Sequence, residues 1–178
     1  MVEEAPDEQL MLAYRGGDAG AFDTLYRRHR ARLFRFVLRS IRSRATAEEL
    51  YQEIWMRVIE ARGSYAPKAR FTTWLYTIAH NRMVDYWRRS GLSLVSLDDA
   101  EPPADTRDPA RQAEAREALA RFAAALESLP PAQREVFLLH EEAGLSVGEI
   151  AAATGANEEA AKSRLRYALA KLKAAADG

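Results

Sequence analysis

The stretch Arg70–Arg89, RFTTWLYTIAHNRMVDYWRR, sets phenylalanine, tryptophan, tyrosine and histidine rings among arginines, hydroxyls and an amide. At about 100° per residue, Phe71, Leu75, Ile78, Ala79 and Tyr86 share one side of a helix, as a core face would. Thr73, Trp74, Thr77, Asn81 and Arg88 share another. Hydroxyls, an amide, an indole and a guanidinium make a poor core and an unusual solvent face. They suit unstacked bases, which offer π-faces to aromatic rings and hydrogen-bonding edges to amides. Just upstream, GSYAPKARF places Tyr65, Lys68 and Arg70 on a loop able to hold an extruded base. Taken singly, Trp74 and Trp87 read as core anchors. The stripe as a whole does not.

A second binding chemistry lies in LPPAQREVFLLHEEAGLSVGEIAAATGANEEAAKSRLRYALAKL. Pro131 suits a first helical turn, and Ser146 with Glu149 forms a capping box that starts a short helix. Gly155 ends that helix, and Asn157 caps the next. A short helix, a glycine-bearing turn and a longer basic helix make the helix-turn-helix pattern. On the last helix Ala161, Leu165, Ala168 and Leu172 form a core stripe. The opposite face carries Glu159, Lys162, Ser163, Arg166 and Tyr167. Arginine and serine bond base edges and lysine neutralises phosphate, so this face suits a DNA groove; the alternative is a solvated basic helix.

Enzymatic chemistry finds little footing. His29, His80 and His140 are scattered, and HEEAG lacks the second histidine of a zinc-binding HExxH helix. No phosphate-cradling glycine loop and no serine elbow appear. With no cysteine there is neither disulfide framework nor thiol nucleophile. No catalytic residue, metal or cofactor is expected.

These side chains need elements to carry them. The chain has 178 residues, 48% hydrophobic and 29% charged, which fits a globular protein with one medium core or two small ones. No apolar run approaches the ~20 residues needed to cross a bilayer, and the acidic start MVEEAPDEQL does not read as a secretory signal. A cytoplasmic protein is expected. Apolar spacing at three and four residues predicts an all-α fold, with helices over 7–16, 19–41, 46–61, 71–89, 111–128, 131–142, 146–153 and 158–175. GLSLVSLDDAEPPADTRDP, with three prolines and five acids, reads as a flexible acidic linker. The predicted domains are therefore 1–90 and 113–178, joined by 91–112. Net charge is zero, yet residues 1–90 carry 16 Lys+Arg against 11 Asp+Glu, and from Lys162 onward the balance is 5 against 1. Local fields rather than the total attract a polyanion.

Four segments in order, AFDTLYRRHRARLFRFV, AEELYQEIWMRVIEA, FTTWLYTIAHNRMVDYWRR and the helix-turn-helix ending in AAKSRLRYAL, resemble a bacterial RNA polymerase sigma factor of the extracytoplasmic-function group, two-domain type. The resemblance spans about Asp7 to Lys173. It implies that the helix of AEELYQEIW docks on the clamp helices of the largest polymerase subunit; the helical wheel turns Glu49, Gln52, Glu53 and Met56 outward as the docking patch and Leu50, Tyr51, Ile54 and Val58 inward, the alternative being a solvated amphipathic face. It implies that FTTWLYTIAHN recognises and melts the minus-ten element, involving Asn81 and the loop 63–70. The recognition helix would read the minus-thirty-five element through Lys162, Ser163, Arg166 and Tyr167, and the linker would occupy the polymerase RNA exit channel. An anti-sigma factor or a kinase is a further implied partner. Two departures stand out. Thr46 replaces the aspartate usual in the family, so its phosphorylation would restore the charge, although Thr46 and Glu49 equally read as a capping box. The recognition helix opens with NEEAAKS, so Glu159 alters which bases are favoured. The rival reading is a two-domain helix-turn-helix regulator that acts outside any holoenzyme.

Overall fold

Polar side chains cap the start of four of the helices. A computed structural model describes residues 4–91 and 109–177, with side chains from 113 onward in the second stretch. Among the described residues there are eight α-helices and no strand: α1 (Asp7–Arg15), α2 (Ala19–Ser40), α3 (Arg44–Ala61), α4 (Phe71–Ser90), α5 (Pro109–Ser128), α6 (Pro131–Glu141), α7 (Val147–Thr154) and α8 (Glu158–Asp177). Asp18 starts α2 by accepting from the Gly20 and Ala21 amides, satisfying donors that a helix start leaves open. Gly155, at φ 70°, ends α7 in a left-handed turn that a side chain would strain. The predicted helices agree with these spans to within two residues at each end. The expected linker, apart from Gly91 and the first turn of α5, lies outside the described residues.

One predicted cap is corrected. Helix α3 starts at Arg44, and the Ser43 hydroxyl accepts from the Thr46 amide at 3.3 Å. Thr46 and Glu49 therefore form no capping box. Arg44 and Ala45 extend the helix backward until a hydroxyl further upstream can close it, leaving Thr46 inside the first turn.

Helices α1 to α4 bury Met11, Leu25, Leu33, Phe36, Ile54 and Leu75 among themselves. Helices α5 to α8 bury Leu129, Leu138, Ile150, Ala161, Leu165, Ala168 and Leu172. Each large side chain so buried contributes about 1.5–3 kcal/mol before entropy is counted. Arg134 closes the α5–α6 corner: its guanidinium donates to the carbonyls of Leu126 (3.0 Å), Leu129 (3.2 Å) and Glu127. It thereby satisfies acceptors that the end of α5 leaves open.

The two units do not stand apart. Helix α4 packs on α7 and α2 packs on α6, and the buried residues form one connected cluster. Polar and charged pairs cross the seam. Arg35 and Arg39 both hold Glu142, Arg35 at 3.0 Å. His80 Nδ1 lies 2.5 Å from Glu135, and Arg70 lies 3.3 Å from Glu149.

Candidate nucleic-acid interface

The loop expected to hold an extruded base is an arch with two buried feet. Tyr65 is 1% exposed and Phe71 fully buried, while residues 66–70 between them are exposed. The Tyr65 ring meets Trp74 edge-on at 5.0 Å and Phe71 at 6.4 Å. Burial, with the carboxylates of Glu8 and Asp7 adding to it, pushes the Tyr65 phenol up to about 12. Tyr65 is thus an anchor of the arch and presents no ring to a base. Lys68 and Arg70 are exposed, and Arg70 donates to Glu149 across the seam.

Along α4 the expected stripe divides. Thr73 is 5% exposed, on the same flank of the helix as Tyr76, His80 and Met83, where His80 meets Glu135 of the carboxy-terminal unit. Thr77 donates its hydroxyl to the Thr73 carbonyl at 2.7 Å. Trp74 is half-buried against Tyr65 and Phe71. Asn81 and Arg88 are exposed. The wheel misplaced Thr73 because it allowed α4 one buried side, whereas this helix has two. Asn81 borders a cleft between α3 and α4, lined also by Arg57, Glu60, Arg82 and Asp85. Sequence reasoning missed those four, since nothing in either helix alone pairs residue 57 with residue 81.

On α3, Glu49, Gln52 and Met56 face outward, Met56 at 54% exposure. Leu50, Ile54 and Val58 are buried, as the wheel requires. Glu53 is half-exposed and bridges to Arg82 of α4, so this face and the helix bearing Asn81 are tied together.

In the carboxy-terminal unit the expected motif is present in detail. Ser146 and Glu149 cap each other reciprocally at the start of α7, and the Asn157 side chain accepts from the Ala160 amide at 2.7 Å. Ala161, Leu165, Ala168 and Leu172 are buried. Opposite them Glu159, Lys162, Arg166 and Tyr167 are exposed and Ser163 is half-buried. The Arg166 guanidinium lies over the Tyr167 ring, 5.4 Å from its centroid, which restricts both side chains. Glu149 carries a second duty that no local pattern announced. Hydrogen bonds from Ser146 and the Arg70 charge together hold its carboxyl below the ordinary range, so it stays an anion facing Arg70.

Each histidine has a structural partner: His29 with Asp7 at 2.7 Å, His80 with Glu135, and His140 with the Leu145 carbonyl at 3.0 Å. Among the described residues no helix is long and apolar enough to cross a membrane.

Comparisons with known proteins agree with this layout. Residues 25–92 match the family model for sigma-70 region 2, and residues 119–172 match that for sigma-70 region 4. The chain is 35% identical over 169 residues to the RNA polymerase sigma factor CarQ of Myxococcus xanthus, covering 92% of this chain and 93% of that one. It is 32% identical over 170 residues to the ECF RNA polymerase sigma factor SigM of Mycobacterium tuberculosis, covering 95% and 84%. A solved structure of CnrH in complex with the cytosolic domain of CnrY has a TM-score of 0.71 at 27% identity, covering 96% of this chain and 97% of that one.

Proposed function

This chain belongs to the sigma-70 family, among its extracytoplasmic-function members, and we propose that it directs RNA polymerase core to promoters by holding DNA at two points. The observation that carries this reading is the pair of family matches in order, one on each helical unit. A regulator whose amino-terminal helices only sense a signal is not favoured, because those helices match region 2 of a sigma factor.

In this reading α8 lies in the major groove of the minus-thirty-five element, with Arg166, Ser163 and Glu159 toward base edges and Lys162 toward phosphate. The arch and α4 take the minus-ten element once its bases leave the stack. Lys68 and Arg70 meet the backbone, Asn81 meets a base edge, and the rim of Trp74 offers a partial π-face. Tyr65 and Thr73 hold the surface up from beneath, Thr77 packs within it, and Arg88 extends it. Unpairing costs a few kcal/mol per step, offset by ~1–3 kcal/mol of stacking per base. Glu49, Gln52, Glu53 and Met56 face the polymerase, whose contact raises the effective concentration of both DNA sites. No step here is covalent, and the work belongs in the cytoplasm with polymerase.

The two units have to part for this. Roughly 25 base pairs separate the two elements, ~85 Å of duplex at about 3.4 Å per step. A compact chain of this length has a radius of gyration of only ~16 Å. The closed arrangement is therefore a form of the free protein. CnrH was solved with the cytosolic domain of CnrY, and an anti-sigma protein is the partner class this adds. A kinase acting on Thr46 belongs to the same reading: a phosphate in the first turn of α3 would favour the helix start.

The test is transcription from genomic fragments by core polymerase with and without the protein. Specific start sites that depend on the protein are expected. Duplex binding without core, and no start sites with it, would favour the regulator instead.

A further inference from the structure

Helix α4 begins without a cap of its own. Arg70 occupies the cap position and offers no side-chain hydrogen bond to the helix, although the first turn leaves amides open. The missing acceptor comes from α1: the Glu8 carboxylate accepts from the Phe71 amide at 2.7 Å. Phe71 is one foot of the arch. At the other foot, Arg15, at the far end of α1, donates to the Tyr65 carbonyl at 3.0 Å. Glu8 and Arg15 are seven residues apart, two helical turns, so they share a face and stand ~10.5 Å apart along the axis. A third contact braces the approach, since the Arg62 guanidinium lies 5.1 Å from the centroid of the Tyr14 ring. One nine-residue helix thus grips both ends of the segment whose exposed middle carries Lys68 and Arg70.

We propose that α1 is a splint for the arch, with Glu8 and Arg15 as positioning residues that fix its two feet at the spacing promoter melting requires. This rests on the sigma-factor reading and adds to it a part for a helix that the region 2 match, beginning at residue 25, does not include. The carboxylate–amide bond is charge-assisted and lies at the positive end of α4, where an anion is most effective. The rigid helix between the two grips converts two local bonds into one fixed distance. Bases captured by the arch then meet a surface already in place, and less order has to be created during melting.

The test uses the full chain assembled with core polymerase, on a promoter recovered from the transcripts of the wild-type holoenzyme. Varying holoenzyme concentration separates initial binding from isomerisation to the open complex. Glu8→Ala is expected to slow isomerisation about tenfold while initial binding and thermal midpoint stay near wild type. Glu8→Gln, whose amide oxygen accepts the same N–H, should restore most of the rate. Arg15→Ala should act in the same direction as Glu8→Ala, and amide exchange at Phe71 should quicken in Glu8→Ala. Unchanged isomerisation in both alanine variants overturns the proposal. So does a parallel loss of core affinity, initial binding and thermal midpoint, which would reduce α1 to scaffold, or a Glu8→Gln variant as slow as Glu8→Ala. If the wild-type protein yields no specific transcript, the sigma-factor reading itself fails, and the proposal falls with it.

Discussion

Arg70, on the exposed arch, and Glu149, in the capping box of α7, lie 3.3 Å apart although 79 residues separate them in the chain. The same carboxylate closes the start of α7 and faces a cation of the proposed DNA surface. With Arg70 largely solvated, such a pair is worth at most about 1 kcal/mol. The less exposed pairs, Glu142 with Arg35 and Arg39, and Glu135 with His80, carry more of the seam.

Removing Glu142 leaves two arginines facing a seam without their counter-ion. Glu142→Ala is expected to raise the radius of gyration, measured by small-angle scattering, above the ~16 Å of a compact chain. High salt should expand the wild type in the same direction, because screening weakens partly exposed pairs. An unchanged radius in both cases would mean that apolar contact alone holds the units together.

Arg134 serves three carbonyls at the end of α5 from a buried position. Arg134→Met should destabilise the protein by about 2–4 kcal/mol in urea unfolding, since buried acceptors lose charged donors. Arg134→Lys should recover less than half of that, because one ammonium cannot span the positions a planar guanidinium reaches.

Acid should loosen α1. Burial works to raise the Asp7 carboxyl, but hydrogen bonds and charge from His29 and Arg28 outweigh it and hold the group below its ordinary value of 3.8. A group depressed on folding stabilises the fold fully above its unfolded value and loses that contribution as pH falls through the folded one. Thermal midpoints of wild type and Asp7→Asn should therefore differ at neutral pH and converge in acid below that range. Curves that stay parallel would remove Asp7 from the acid response.

On DNA, Lys162 and Arg166 should behave differently in holoenzyme binding assays. Lys162→Ala is expected to weaken all promoters alike and to reduce the salt slope by about 1. Arg166→Ala should cost about 1–3 kcal/mol on preferred promoters and relax selectivity at one or two positions. Equal effects on every sequence from both variants would assign Arg166 to the backbone.

Much of this is legible in the order of the residues alone. Ser146, Glu149, Gly155 and Asn157 act within a few residues of themselves, so their types alone mark the boundaries of α7 and α8. The core stripe Ala161–Leu172 follows from helical period. What escaped depends on long-range packing. Thr73 looks exposed until tertiary packing buries it, and Tyr65 looks like a stacking platform until Phe71 and Trp74 enclose it. Thr46 looks like a cap until Ser43, three residues upstream, takes that place. Nothing in the string ties Glu8 to Phe71 or Arg70 to Glu149.

The closed seam also bears on dose. On the proposed function, polymerase and promoter engage only molecules whose halves have already separated, so every apparent dissociation constant is the intrinsic one divided by the separated fraction. Each ~1.4 kcal/mol by which closure is favoured shifts the half-saturating polymerase concentration tenfold. Substitutions at Glu135 or Glu142, remote from any nucleotide, would thus retune how much of the factor a cell needs before its genes respond.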